Sequence, residues 1–569
     1  MKRFELSLLS VVACAISIAG CSIDVTGRAI LNPDGGVDMS VDMARPDLGR
    51  DMFVPPDGNI DMPLDEGVDQ GVDLGLDIDL GVDVDMFVPV DMGLDAGLDA
   101  SADLGFDAGI DLGVDAGVDA GVDLGTDLGV DLGFDAGPSC LASDAASCFD
   151  ATTLLTCPGG TPTFTTCALG CSSTPSPQCR VILPSNIGPV VSISDSTADL
   201  NTGSITGMPY WLFDTESGQI LAYDTGGTTS TEIRAGVLGL DHGIRFTRRP
   251  ASGAGSDLGV FVVNSLVIAE GTTVVATGPR AFVLLAARSV DIRGALLVNA
   301  NVIPGMPGPG PGGQAGGANE TAGGGTGGGL PGSRAALGND DSGGGGAGFG
   351  SAGGSGGAPS VLLAGGGGGV SYGSLELIPL RAGAGGAGGG DDDGGAGGAG
   401  GGAVQISATD FIRITAAGYI DASGAGGQGG RATMSTMDSG AGGGDGSGGA
   451  VLLEAAIVTI DGRVGANGGA GGQGATAATT PGASGANGSA MTVPALGADT
   501  SGLGGSGGAG SDASGVAQNG GAQENGGGGG GGPGRIRVNN YAGSFTFGSG
   551  VSPNASSGLA TSGPAAATP

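Results

Sequence analysis

The sequence predicts an all-β protein: a parallel β-helix, or β-solenoid, with long Gly-rich inserts, preceded by a disordered acidic stalk and a small disulfide-rich module. Three observations carry that prediction. Apolar runs recur in "VLLAARSVDIRGALLVNA" from Val283, "VQISATDFIRITAAGYIDASG" from Val404 and "VLLEAAIVTIDGRVGANGG" from Val451, and units of about 20 residues with glycine corners suit a stacked coil. The chain holds 129 glycines and only 4% aromatic residues, so much of it has no side chains from which to build a core. Short β-branched runs alternate with turn residues throughout the C-terminal half, which favours strands over helices.

The first element, residues 1–20, reads as an export signal. Lys2 and Arg3 precede an apolar run too short to span a bilayer, and small residues lead to Cys21. The run Ile18-Ala19-Gly20-Cys21 resembles a bacterial lipobox. The resemblance implies a lipid-modified Cys21, with two or three acyl chains anchoring the protein to a membrane. Ser22 after the cysteine resembles the sorting pattern for the outer membrane.

Residues 21–139 form the stalk. Asp recurs every four residues from Asp107 to Asp135, as in "DAGVDAGVDLGTDLG", and acids crowd residues 34–135 against only Arg45 and Arg50. A helix would set like charges at i, i+4 and carry glycine in every turn at ~1 kcal/mol each, so a charge-extended, disordered segment is expected. With a net charge of −37 the chain is not a nucleic-acid binder. The Asp spacing lacks the D-x-D-x-D-G convergence of a calcium loop. Weak, nonspecific Ca2+ association with the tract is the only metal chemistry expected, and no cofactor is.

Residues 140–179 hold Cys140, Cys148, Cys157, Cys167, Cys171 and Cys179. An even number of cysteines in an exported segment with little apolar core implies three disulfides, with the pairing left open. Residues 180–258 are a β-rich entry to the head and contain Trp211 and the single histidine, His242. His242 sits in "LDHGI", where a turn role is expected; no G-x-S-x-G elbow accompanies it.

Residues 259–551 are the solenoid. Its columns align Ala286, Ala408 and Ala455; Ile292, Ile414 and Ile460, expected in the core; and Gly294, Gly418 and Gly462, expected at corners. Looser units run from Val260 to Gly278 and from Arg535 to Val551, and residues 552–569 are expected to be a disordered tail. The glycine inserts follow Ala300, Gly424 and Asn467, all at one point of the repeat. Two readings of them stand. They coat the surface as flexible loops, so that removing residues 471–510 would barely matter, or they run extended and pack side by side, since a chain without Cβ can approach another closely.

The lipobox, the Asp-Gly stalk, the six-cysteine block with "CALGC" and the "VTIDGRVGANGGAGGQG" texture together resemble glycine-rich surface lipoproteins of predatory and gliding double-membraned bacteria. The likeness implies an outer-membrane, surface-exposed protein with β-solenoid architecture and supplies no catalytic residue. A structural or adhesive role, binding an extracellular glycan or a neighbouring cell surface, is the function expected. The alternative is a β-helix polysaccharide lyase or hydrolase, which needs placed carboxyls. Asp291, Arg413 and Thr459 stand in one outward column, where a surface ion pair is expected. The triple acid Asp391 to Asp393 lies in a glycine insert, expected to be too mobile for chemistry.

Overall fold

The computed structural model describes residues 22–23, 29–30, 140–188, 196–301, 308–335, 340–359, 363–433, 438–476, 479–498, 504–511, 514–543 and 545–568. Cys21 and the Asp-Gly tract lie outside them. In residues 1–113 the described part is one antiparallel pair, Ser22–Ile23 with Ala29–Ile30. Everything else described belongs to residues 114–569. Strands dominate, and among the described residues there is no α-helix.

The head is built on an 11-stranded and an 8-stranded sheet. In the larger one Leu258–Val263, Ala281–Ala286, Ala403–Ile414, Ala450–Ile460, Arg535–Asn540 and Ala560–Gly563 pair in parallel, in that order. In the smaller one Tyr210–Asp214, Thr273–Thr277, Ala295–Leu297, Tyr419–Asp421, Arg463–Gly465 and Val551–Ser552 do the same. Antiparallel strands start both sheets. One hairpin there turns through His242 and Gly243, both at positive φ (48° and 76°), the backbone that a two-residue hairpin loop needs. The inward side chains of the two sheets meet in one core, with Phe213, Val274, Leu296 and Ile420 on one side and Phe282, Leu284, Ile406 and Leu453 on the other.

The repeat columns coincide with ladder neighbours: Ala286 pairs with Ala408 and Ala408 with Ala455, and Ile292 pairs with Ile414 and Ile414 with Ile460. Ile292 and Ile414 are fully buried. Ile460 is only partly so, because the next strand ends at Asn540 and leaves this end of the column uncovered. Gly294, Gly418 and Gly462 lie where a Cβ would strike a carbonyl of the preceding turn, Thr272 O, Ile292 O and Gly418 O respectively. Their requirement is close approach rather than an unusual φ.

Residues 140–179 carry the disulfides Cys140–Cys157, Cys148–Cys171 and Cys167–Cys179 around the small sheet Ser147–Asp150, Thr153–Thr156 and Thr163–Thr166. Leu169 of this module packs with Ile182, Ala456 and Ala565 of the head. Residues 552–569 differ from the expected disordered tail. Ala560–Gly563 extends the large sheet, and Leu183 N–H and Thr568 N–H bond to Ala566 O and Val181 O across the two ends of residues 181–568. Pairing with an exposed sheet edge supplies the backbone partners that this apolar-poor segment cannot obtain from a core of its own.

Candidate binding surface

The glycine inserts form a packed layer. In residues 440–449, successive N–H groups point to three different neighbours, and the pattern repeats every third residue. Gly442, Asp445 and Gly448 donate to Gly526, Gly529 and Gly532 (2.8, 3.3 and 3.0 Å). Gly443, Gly446 and Gly449 donate to Gln428, Ala425 and Ala422 (2.9, 2.9 and 2.8 Å), and Gly444 and Ser447 to Ala387 and Ala384 (2.8 and 3.0 Å). The same segment accepts from three further ones, through Gly344 and Ala347, Gly398 and Gly401, and Gly469 and Gly472. A three-residue repeat with no bond inside a segment belongs to the extended polyproline II type of helix. Surrounding one such helix with three acceptors and three donors gives hexagonal packing.

Glycine is what permits this spacing. A Cβ on Gly443, Gly444 or Gly446 would fall inside 3 Å of a neighbouring carbonyl oxygen, of Ala396, Gly345 and Ala399 respectively. Alanines enter where a neighbour leaves room, as at Ala384, Ala387, Ala399, Ala425 and Ala470, all buried. The expectation of flexible surface loops is therefore corrected, and the side-by-side alternative describes the inserts. Described residues between 471 and 510 join the layer: Gly472 N–H bonds to Gly443 O, Gly528 N–H to Gly472 O and Gly471 N–H to Gly508 O. Backbone pairing substitutes for the side-chain core that these segments lack.

The segments that run directly into strands, at Gly402, Gly449 and Gly534, do so at one end of the layer. Turns collect at the other. Residues 318–321, 390–394 and 521–525 reverse the chain there, beside Ser333, Asp341, Arg431, Ser439 and Ala475. Polar contacts tie them together: Asn525 Nδ2 donates to Ser439 Oγ and Ala475 O (2.9 and 3.1 Å), and Asn319 Nδ2 to Asp392 O (3.1 Å). Asp391, expected to be mobile, is fully buried at positive φ (77°) and its Oδ1 lies 3.0 Å from Arg334. A buried carboxylate needs such a partner, and the rigid layer beneath holds the two in place.

On the sheet body, Asp291 and Arg413 are ladder partners, with Thr459 next in the row. Arg413 donates to both carboxylate oxygens (3.0 and 2.6 Å) and Arg293 adds a bond of 2.8 Å. Burial alone would raise the Asp291 pKa, but the bonds from Arg413 and Arg293 outweigh it and hold the carboxyl below its ordinary range. His242 is exposed, with Nδ1 3.0 Å from Asp241 Oδ2. It stands apart from the Asp291 column.

Three acidic sites escaped sequence reasoning. Glu454, 1% exposed, accepts from Gln405, Ser407 and Asn539 (2.9, 2.9 and 3.0 Å) and from Ser185, and so pins the entry segment onto the large sheet. Burial pushes the Asp421 carboxyl up to about 6, against the opposing bonds from Ser423. Asp445 is fully buried inside the glycine layer, and burial raises its pKa well above the ordinary value against the opposing backbone N–H of Gly531. Among the described residues no group of three His, Cys, Asp or Glu side chains is placed to hold a metal ion, and no helix is long and apolar enough to cross a membrane.

Comparison with protein-family models, curated proteins and solved structures finds no match for this chain.

Proposed function

We propose that this chain is a lipid-anchored protein of the bacterial outer membrane, displayed at the cell surface, whose head is a β-solenoid braced by the glycine layer. In this reading the head is a non-catalytic scaffold that binds an extracellular glycan or a neighbouring cell surface. The observation that carries it is the gathering of polar turns, with Asn319, Ser333, Arg334, Asp391 and Asn525, at one end of a layer held by backbone hydrogen bonds between its segments. Binding residues are disproportionately found on loops that a rigid framework positions. The partnered state of Asp291 and Glu454 supports a structural rather than a catalytic use of those carboxylates. Export and anchoring rest on the Ile18 to Cys21 motif.

The test is a glycan array run beside a depolymerisation assay on the same ligands. The reading expects retention of a glycan without chain shortening, and weaker retention when Asn319 and Arg334 are both changed to Ala. Release of shorter or unsaturated products would instead establish the lyase or hydrolase alternative.

A further inference from the structure

One row of the glycine layer is started by residues 298–300, and beyond it the backbone groups that would bond its continuation have no partner among the described residues. Gly402 N–H donates to Val298 O (2.8 Å), and Ala300 N–H donates to Ser423 O (2.9 Å), so residues 298–300 lie between the segments 394–402 and 422–431. At Asn301 the chain takes a positive φ (54°) and leaves, bonding instead to Gly308 O (2.8 Å). The three-residue register continues without it. One and two turns beyond Gly402 stand the N–H groups of Ala399 and Ala396, and one and two turns beyond Ser423 the carbonyls of Gly426 and Gly429. Among the described residues none of these four groups has a hydrogen-bond partner.

Ala399 and Gly426, with Gly397 and Gly398, line a cleft of about 440 Å3, and Ala396 and Gly429 stand one turn further along the same two segments. Asn487 and Ser484 line it too, accepting from Gly426 N–H and Gly429 N–H (2.9 and 3.4 Å). These two bonds replace part of the neighbour that the row lacks. Unpaired backbone groups at a fixed repeat are a template for another backbone, as an open sheet edge is for a strand.

We infer that this cleft is a docking site for a glycine-rich polypeptide segment in the extended threefold conformation, at a place independent of the polar turns. The guest's carbonyls accept from Ala399 and Ala396, and its N–H groups, one turn apart, donate to Gly426 and Gly429. Proline is excluded at those donor positions. Glycine suits the guest, because a chain without Cβ can approach the wall as closely as the layer's own segments approach one another.

The experiment uses the mature full-length protein and a fluorescent peptide of Gly-Gly-Ser repeats about nine residues long, three turns of such a helix. Fluorescence anisotropy measures binding. A second peptide carries N-methylglycine in place of glycine and so lacks N–H donors. The protein variant is Ala396→Pro. Proline suits the extended backbone and removes only an N–H that has no internal partner, so its melting temperature stays that of the wild type. The expected result is saturable binding of the glycine peptide, at least tenfold weaker for both the N-methyl peptide and the Ala396→Pro protein. Equal binding of the two peptides, undiminished binding to a folded Ala396→Pro protein, or no binding to the wild type at millimolar peptide would each overturn the assignment. So would binding that appears only when residues 302–307 are deleted, because the chain itself would then be the occupant.

Discussion

Replacing Gly443 by alanine is the most discriminating test of how the glycine layer is held. The new Cβ would fall inside 3 Å of both Ala396 O and Ala396 C. Real contacts need more space, so residues 440–449 must move away from residues 394–402 by on the order of 1 Å, a displacement that packed interiors resist. The bonds across that gap are Gly395 to Ala441, Gly398 to Gly444 and Gly401 to Ser447, each 2.9 Å. Breaking one of them leaves a buried N–H and C=O unsatisfied at ~1–3 kcal/mol apiece, a loss of about 2–6 kcal/mol. The lower entropy of the unfolded alanine chain returns only ~0.4–1 kcal/mol. Gly308→Ala is the control, because its Cβ meets nothing within 4 Å and its φ is not positive. Urea titration of both variants should show a large loss for Gly443→Ala and none, or a slight gain, for Gly308→Ala. Equal stabilities would refute the close-packed lattice.

Other outcomes follow from the same structure. Ile414→Asp puts a carboxylate at a fully buried rung and should cost several kcal/mol, whereas Ile457→Asp, on the same ladder but 55% exposed, should melt within a few degrees of wild type. Asp421 binds its proton more tightly folded, with a pKa of about 6, than at the ordinary 3.8, so its contribution to stability is complete below pH ~4 and lost as pH rises through 6. The roughly two-unit difference sets an upper value of about 3 kcal/mol. Asp445 acts in the same direction. Between pH 4 and 7 the wild type should therefore lose stability relative to Asp421→Asn, which carries no titrating group there, and a difference independent of pH would contradict this. Cys21→Ala should move the protein from the detergent phase to the aqueous phase or leave its signal uncleaved; unchanged partitioning would remove the lipid anchor. Denaturation without reductant should expose no free thiol from the cysteines between 140 and 179, and two titratable thiols per molecule would contradict the three bridges.

The strand ladders were legible because their side chains carry the pattern: Ile292, Ile414 and Ile460 repeat in a column, and apolar residues alternate around them. The glycine layer was harder to read, since its packing information lies in missing side chains, and composition alone suits a flexible coat as well as a lattice. A signal was nevertheless present. Non-glycine residues recur every third position at Ala384 and Ala387, Ala396 and Ala399, Ala425 and Gln428, and Ala470 and Gln473, a period of three without the proline that would mark collagen. The buried acids Asp421, Asp445 and Glu454 left no such trace. Their surroundings come from strands and inserts distant in sequence, as when Ser185 reaches Glu454. Asp391 was read as mobile because its insert was; once the insert is rigid, its pairing with Arg334 follows.

Amide hydrogen exchange followed by mass spectrometry tests the central claim, that the glycine inserts are a hydrogen-bonded structural layer bracing the strand ladders. Peptides covering 440–449 and 526–532, whose interior N–H groups all bond to neighbouring segments, should exchange as slowly as the strand Ala403–Ile414, while those around Gly227, on an exposed turn, exchange at once. Exchange of 440–449 at the rate of an unstructured glycine peptide, with Ala403–Ile414 still protected, would contradict the account.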